Sequence, residues 1–158
     1  MNRFFPYRNA ALLVFASALA SACGHHFDAA TPSGFVELAH QQHYDYRATS
    51  ADGLVIGVRE LENEPQGELV FWARAVENQL RNRGGYALLD TRDVKSKDGV
   101  AGKEFRFGHD EGRTPHLYCV TVFVTKKRLE VLEIGGTKEL MTANSAVTDA
   151  AIAAFVVN

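Results

Sequence analysis

Residues 117–125 read LYCVTVFVT, a stretch with almost no polar position. A half-buried strand alternates apolar and polar residues, whereas a run without a polar side suits a strand buried on both faces. This stretch is therefore the predicted central strand, and its sheet needs cover above and below. Cys119 within it reads as a small core residue. Downstream, RLEVLEI (128–134) pairs with it and ends at Gly135-Gly136, and the run Lys126-Lys127-Arg128 between them reads as a solvated hairpin turn. Upstream, GKEFRFGHD (102–110) places Phe105 and Phe107 on one face and Glu104 and Arg106 on the other. YALLDTRDV (86–94) precedes it across the turn Lys97-Asp98-Gly99.

The first half of the chain adds a second hairpin. Gly34-Phe35-Val36-Glu37-Leu38 reads as a short strand, the point where ordered structure should begin. In YDYRATSADGLVIGVREL, Tyr44, Tyr46 and Ala48 alternate with Asp45, Arg47 and Thr49, and Leu54, Ile56 and Val58 resume the pattern after Asp52-Gly53, a turn signal.

From Gly67 to Arg83 the period changes to that of a helix. Leu69, Trp72, Ala73, Val76 and Leu80 share one face, with Arg74, Asn78 and Arg81 away from it. Glu68 suits the positive end of the helix dipole, Arg81 and Arg83 the negative end, and Gly84 is the predicted left-handed cap. Phe71 projects opposite the stripe and is a candidate partner contact, large aromatic residues being prominent in binding hot spots. A last helix is predicted over about 145–156, capped by Asn144 or Ser145, with Val147, Ala151, Ala154 and Phe155 on one face.

The expected architecture is α+β: an antiparallel sheet of six to seven strands flanked by two main helices, 67–83 and 145–156. The order of several features resembles the PsbP-like α/β/α sandwich. These are Pro32, Gly34 and Phe35, a Tyr-rich hairpin with a DG turn, the amphipathic Trp helix, Gly84 to Tyr86, the strand with Gly102 and Phe107, and the final helix. The resemblance spans about residues 32–156. It implies a non-catalytic binding or assembly role and transfers no functional residue.

The N-terminus speaks to location. Arg3 and Arg8 precede Ala10–Ala22, a run with nothing more polar than serine. That run is too short for a membrane span, which needs about 20 residues, and suits a secretory signal peptide. It ends ALASACGHH (18–26), in which Ser21 and Ala22 stand before Cys23. This resembles the bacterial lipobox, with Ala20 where leucine is usual. The resemblance implies a lipoprotein signal peptide over 1–22 and acyl chains, palmitate among them, on Cys23 as the membrane anchor. Residues 23–33 would form a flexible lipidated spacer and 34–158 a single globular domain. Gly24, in place of the aspartate that favours inner-membrane retention, implies an outer-membrane lipoprotein facing the periplasm if the host is Gram-negative. Competing readings are ordinary soluble secretion with cleavage at a conventional secretory site, a disulfide from Cys23 to Cys119, and a metal site of Cys23 with His25 and His26.

Beyond residue 22 the chain carries 19 acidic and 15 basic residues, a formal charge of −4. A nucleic-acid partner would want a concentrated basic face, and none is present. No catalytic, cofactor or metal residue is assigned. The richest chemical candidate is HDEGRTPH (109–116), read as a polar loop in which His109, Asp110, Glu111 and His116 could hold a metal or form an acid–base pair. His40 and His43 lie in a segment too short for helical metal spacing. Small-ligand capture near Trp72, Phe105 and Phe107 is a third reading and needs a cavity between sheet and helix.

Overall fold

The computed structural model describes residues 24–39 and 42–158. Cys23, the proposed signal peptide and His40 lie outside them. Twelve elements follow in order: β1 (Phe27–Asp28), β2 (Phe35–Glu37), β3 (Tyr46–Ser50), β4 (Val55–Glu62), α1 (Leu69–Asn82), β5 (Ala87–Lys95), β6 (Ala101–Glu111), β7 (Thr114–Val124), β8 (Arg128–Thr137), α2 (Lys138–Ala143), α3 (Ser145–Ala154) and β9 (Val156–Val157). Among the described residues no helix is long and apolar enough to cross a membrane.

Seven strands form one antiparallel sheet in the order β2-β3-β4-β8-β7-β6-β5. The middle position belongs to β8, with the apolar run 117–125 beside it in β7. Both strands are buried on both faces: Cys119 to Phe123 in β7 and Leu129 to Ile134 in β8. The two acids of RLEVLEI are enclosed as well, Glu130 0% and Glu133 3% exposed.

Each face has its own cover. On one, Leu69, Trp72, Ala73, Val76 and Leu80 of α1 pack over Phe105, Phe107, Val120, Val122 and Val131, so the predicted helical stripe is the buried one. On the other, α2 and α3 contribute Met141 and Ile152 to a core with Ala48, Ile56, Val58, Phe123, Leu132 and Ile134. Stacked rings run through this second core: Phe123 on Phe155 at 5.4 Å, and Phe155 on Phe27 at 5.7 Å.

Several sequence expectations change. The spacer reading of 24–33 fails at Phe27–Asp28, which pair with Val156–Val157 as a two-stranded ribbon, Phe27 being 5% exposed. The ring of Phe27 has a core site to fill, and the two chain ends supply each other's backbone partners. Gly135 and Gly136 lie inside β8 and do not end it. The positive φ after α1 falls on Gly85, at 69°, and Gly84 N–H bonds back to Gln79 O at 3.2 Å. The expected final helix is α3, which ends at Ala154, and a short helix not expected from the sequence, α2, precedes it. Thr137 caps α2, its side chain accepting from Leu140 N–H, and the chain leaves α3 at Phe155 in extended conformation to make β9. Asn144 joins the helices, but its side-chain amide donates to Leu140 O, serving the end of α2 rather than the start of α3.

HDEGRTPH is not a loop. Strands β6 and β7 run almost to its tip, with Glu111 opposite Thr114 and Gly112 taking the tight bend at φ 64°. A polar run of this kind looks like a loop only when the long-range pairing that extends its strands is left out.

Candidate binding cleft

Past the C-terminal end of α1 the sheet face is open, and it forms a cleft of about 680 Å³. Tyr44, Arg47, Tyr86, His109, His116 and Tyr118 are among the residues that line it. Tyr44 arrives by an unexpected route. Strand alternation puts it on the face of Tyr46 and Ala48, but β3 begins only at Tyr46, after a bend at Asp45, and the ring lies on the opposite face with Glu133 and Arg59. There it lies against Gly57, where an added Cβ would meet the ring at 2.6 Å. Only glycine lets the ring settle on the strand backbone.

The cleft contains a carboxylate, Glu133, already satisfied by two donors. Glu133 accepts from the Tyr44 hydroxyl at 2.9 Å and from Arg59 Nη2. The guanidinium carbons of Arg47 and Arg59 stand 5.1 and 5.5 Å from the Tyr44 ring centre, within cation–π range. One buried carboxylate thus orients an aromatic ring and a guanidinium that present their remaining surface outward. On the far wall, Tyr86 packs against His109 at 4.8 Å and Tyr118 at 5.4 Å. Burial pushes the Tyr118 phenol well above its ordinary range, with the nearby Tyr44 phenol adding to the effect. It therefore remains a neutral hydrogen-bonding group.

The structure brings some of the sequence candidates together. His109 and His116 are direct register partners and both line the cleft, with His116 Nε2 3.6 Å from Glu111 Oε2. Among the described residues no group of three or more His, Cys, Asp or Glu side chains is placed to hold a metal ion. Cys119 lies on the opposite face, 6% exposed, in the core of α2 and α3. Burial pushes its thiol up to about 11. It cannot pair with the cleft imidazoles, and a thiol so far from ionisation is a poor nucleophile.

Of the other candidates, Trp72 lines an apolar annex of about 310 Å³ between α1 and β4, which shares Tyr118 and Glu133 with the cleft. Phe105 and Phe107, 2% and 0% exposed, belong to the core under α1, and Phe107 also borders a separate cavity of about 220 Å³ with Cys119, Met141 and Thr148. Phe71 is 54% exposed and meets Trp72 edge-on at 5.1 Å. Its neighbour Val70 is 80% exposed, so the start of α1 carries a small apolar patch that the helical wheel indicated only in part. His26, read as spacer, donates its main-chain N–H to Glu60 Oε2 at 2.6 Å, with its Nδ1 3.0 Å from the other oxygen.

Comparison with known proteins adds the fold. No protein-family profile matches the chain, and no curated protein sequence does. Solved structures do. LpqN of Mycobacterium tuberculosis, described as involved in cell envelope biogenesis, superposes with a TM-score of 0.65 at 10% identity over 82% of this chain and 83% of its own. Cyanobacterial PsbP from Synechocystis sp. PCC 6803 gives 0.58 at 11% identity, covering 84% and 87%. PA94 of Pseudomonas aeruginosa gives 0.51 at 11% identity, covering 83% of each chain. The fold is PsbP-like.

Proposed function

We propose that this chain is a membrane-anchored lipoprotein whose PsbP-like domain is a non-catalytic binding or assembly module, working on a protein partner at the periplasmic side of the envelope. The anchor is Cys23, carrying acyl chains after removal of residues 1–22. Several chains hold a protein to a bilayer where one alone is marginal, each buried CH₂ contributing about 0.8 kcal/mol. Gly24 favours the outer membrane if the host is Gram-negative.

The observation that carries the binding reading is the cleft itself. Tyr44 and Arg59 satisfy the Glu133 carboxylate, Arg47 stands over the Tyr44 ring and Tyr118 lines the same cleft, so the site offers oriented aromatic and guanidinium surface, the residue types that dominate partner contacts. The cleft places hydroxyl and imidazole groups side by side, while the buried thiol is on the other face. Phe71 and Val70 supply a second contact at the opposite end of α1. LpqN supports an envelope setting through the role described for it.

The test has two arms. Intact-mass analysis of membrane-extracted protein should give a product beginning at Cys23 with acyl additions, and Cys23→Ser should abolish both cleavage and membrane retention. Cross-linking in intact cells should then recover one recurrent partner that Tyr118→Ala or Phe71→Ser diminishes. An unmodified product, or cross-linking that returns no recurrent species from correctly tethered protein, would overturn the reading.

A second reading, capture of a small ligand, is favoured by the shared walls of cleft and annex, which join an apolar groove to a polar one. Native mass spectrometry of protein purified without detergent would show a bound species lost in Trp72→Ala.

A further inference from the structure

Glu130 stands apart from every other acid in the sheet. It is 0% exposed, and neither carboxylate oxygen has a hydrogen-bond partner among the described residues. An unpaired buried carboxylate is costly when ionised and far less so when protonated. On its face of the sheet its register partners are Phe123 of β7 and Glu60 of β4.

Both neighbours are held by the ribbon of β1 and β9. Phe123 lies under Phe155, the residue that leads into β9, and Phe155 lies under Phe27 of β1. Glu60 is gripped by the main chain and imidazole of His26. The ribbon is tied down at its other side too. Asp98 Oδ1 accepts from Val157 N–H at 3.0 Å, Lys97 N–H donates to Phe155 O at 2.7 Å, and Asn158 N–H donates to His26 O at 2.7 Å. With two residues in each strand, this ribbon depends on those ties, and on the rings beneath it, to stay closed.

We propose that the β1–β9 ribbon is a proton-controlled strap, closed over Glu130 while that carboxyl holds a proton and loosened when it ionises beside Glu60. The charged groups around Glu130 are Glu60 from β4, Arg128 from β8, Asp98 from the β5–β6 turn, and His26 of the strap acting through Glu60. Arg128 is engaged elsewhere, its Nε 3.9 Å from Glu60 and its Nη1 3.7 Å from Glu62. Burial, then the charge of Glu60, pushes the Glu130 carboxyl up to about 7. Burial opposes ionisation of Glu60 as well, but the hydrogen bonds from His26 and the charges of His26 and Arg128 outweigh it and hold that carboxyl below its usual range. The two cross-strand acids therefore ionise far apart in pH.

The sign follows from linkage. Closed, Glu130 binds its proton more tightly than when the strap opens and water reaches it. The closed form's advantage is full below the ordinary carboxylate range, declines as pH rises, and is used up near pH 7. The strap loosens toward neutrality and tightens in acid. The residue it controls directly is His26, in the segment leading back toward Cys23, so opening frees the link between the domain and the preceding chain. None of this depends on what the cleft binds.

Amide hydrogen exchange of Val157 and Asn158, whose N–H groups bond Asp98 and His26, corrected for intrinsic rates, tests the strap in the full chain. Between about pH 5 and about pH 7.5 the protection of these two amides should fall by about tenfold or more, while those of Val120 and Val122 hold steady. Glu130→Gln, which cannot ionise, should keep them protected and remove the pH dependence. Equal pH response in both proteins overturns the proposal. A ¹³C titration of side-chain carboxyls needs no variant: a Glu130 midpoint below about 5 would also overturn it.

Discussion

The indole N–H of Trp72 donates to Asn63 Oδ1 at 2.7 Å. The same side-chain oxygen accepts from Gly67 N–H at 2.8 Å, and Asn63 Nδ2 donates to Gly67 O at 3.0 Å and Thr125 O at 2.8 Å. One 6%-exposed carboxamide thus ties the entrance of α1 to the turn between β7 and β8. It fixes where the helix starts on the sheet, and with it the walls of the annex and cleft.

Asn63→Ala should therefore cost about 2–3 kcal/mol, because it leaves several buried donors and acceptors without partners. Urea denaturation monitored by Trp72 fluorescence would measure it. A loss under about 0.5 kcal/mol, the range of ordinary surface substitutions, would show that the network is not what positions α1.

Phe27→Ala distinguishes a core residue from spacer. Its ring lies on Phe155, so truncation should cost about 3 kcal/mol, in the range of buried Phe-to-Ala changes. Thermal melts at fixed pH would report the loss, and an unchanged melting temperature would restore the spacer reading.

Asp98 links pH to the same region from the acid side. The hydrogen bond from Val157 N–H, then that from Ser96, holds its carboxyl below the ordinary range, with burial a small opposing effect. A lowered carboxyl adds stability above its unfolded-state value, and that stability disappears as pH falls through the folded-state value. Asp98→Ala should melt lower than the parent at neutral pH, and the gap should close as pH drops below about 4. A gap constant across pH would mean that the carboxylate charge plays no part.

Cys119 should stay unreactive toward a thiol reagent at about pH 8 in the folded protein and react at once in denaturant, being buried and pushed up to about 11. Prompt reaction in the native state would require the core beneath α2 and α3 to open readily.

Much of this fold is legible locally. The stripe of α1, the DG hairpin of β3 and β4, and the alternation of Phe105 and Phe107 each follow from a period of a few residues, and the structure keeps all three. The position of Phe71 outside the stripe was legible for the same reason. The cleft was not. His109 and His116 were visible as a polar cluster, yet their pairing depends on β6 and β7 continuing to the hairpin tip. Tyr44 looked like the first residue of a regular strand, and nothing nearby announces the bend at Asp45 that leaves it out of β3 and on the other face.

What the sequence determined by itself is which segments become strand or helix and which of their faces are apolar, since side-chain direction repeats every two or every 3.6 residues. Which segments meet was left to the tertiary structure. Phe27 and Val157 find each other across nearly the whole chain, β8 takes the middle of the sheet between β4 and β7, and Glu130 comes to rest beside Glu60. Local periodicity gives a strand its inner and outer faces but no partner, because pairing and register are chosen by all the surfaces that must be buried together.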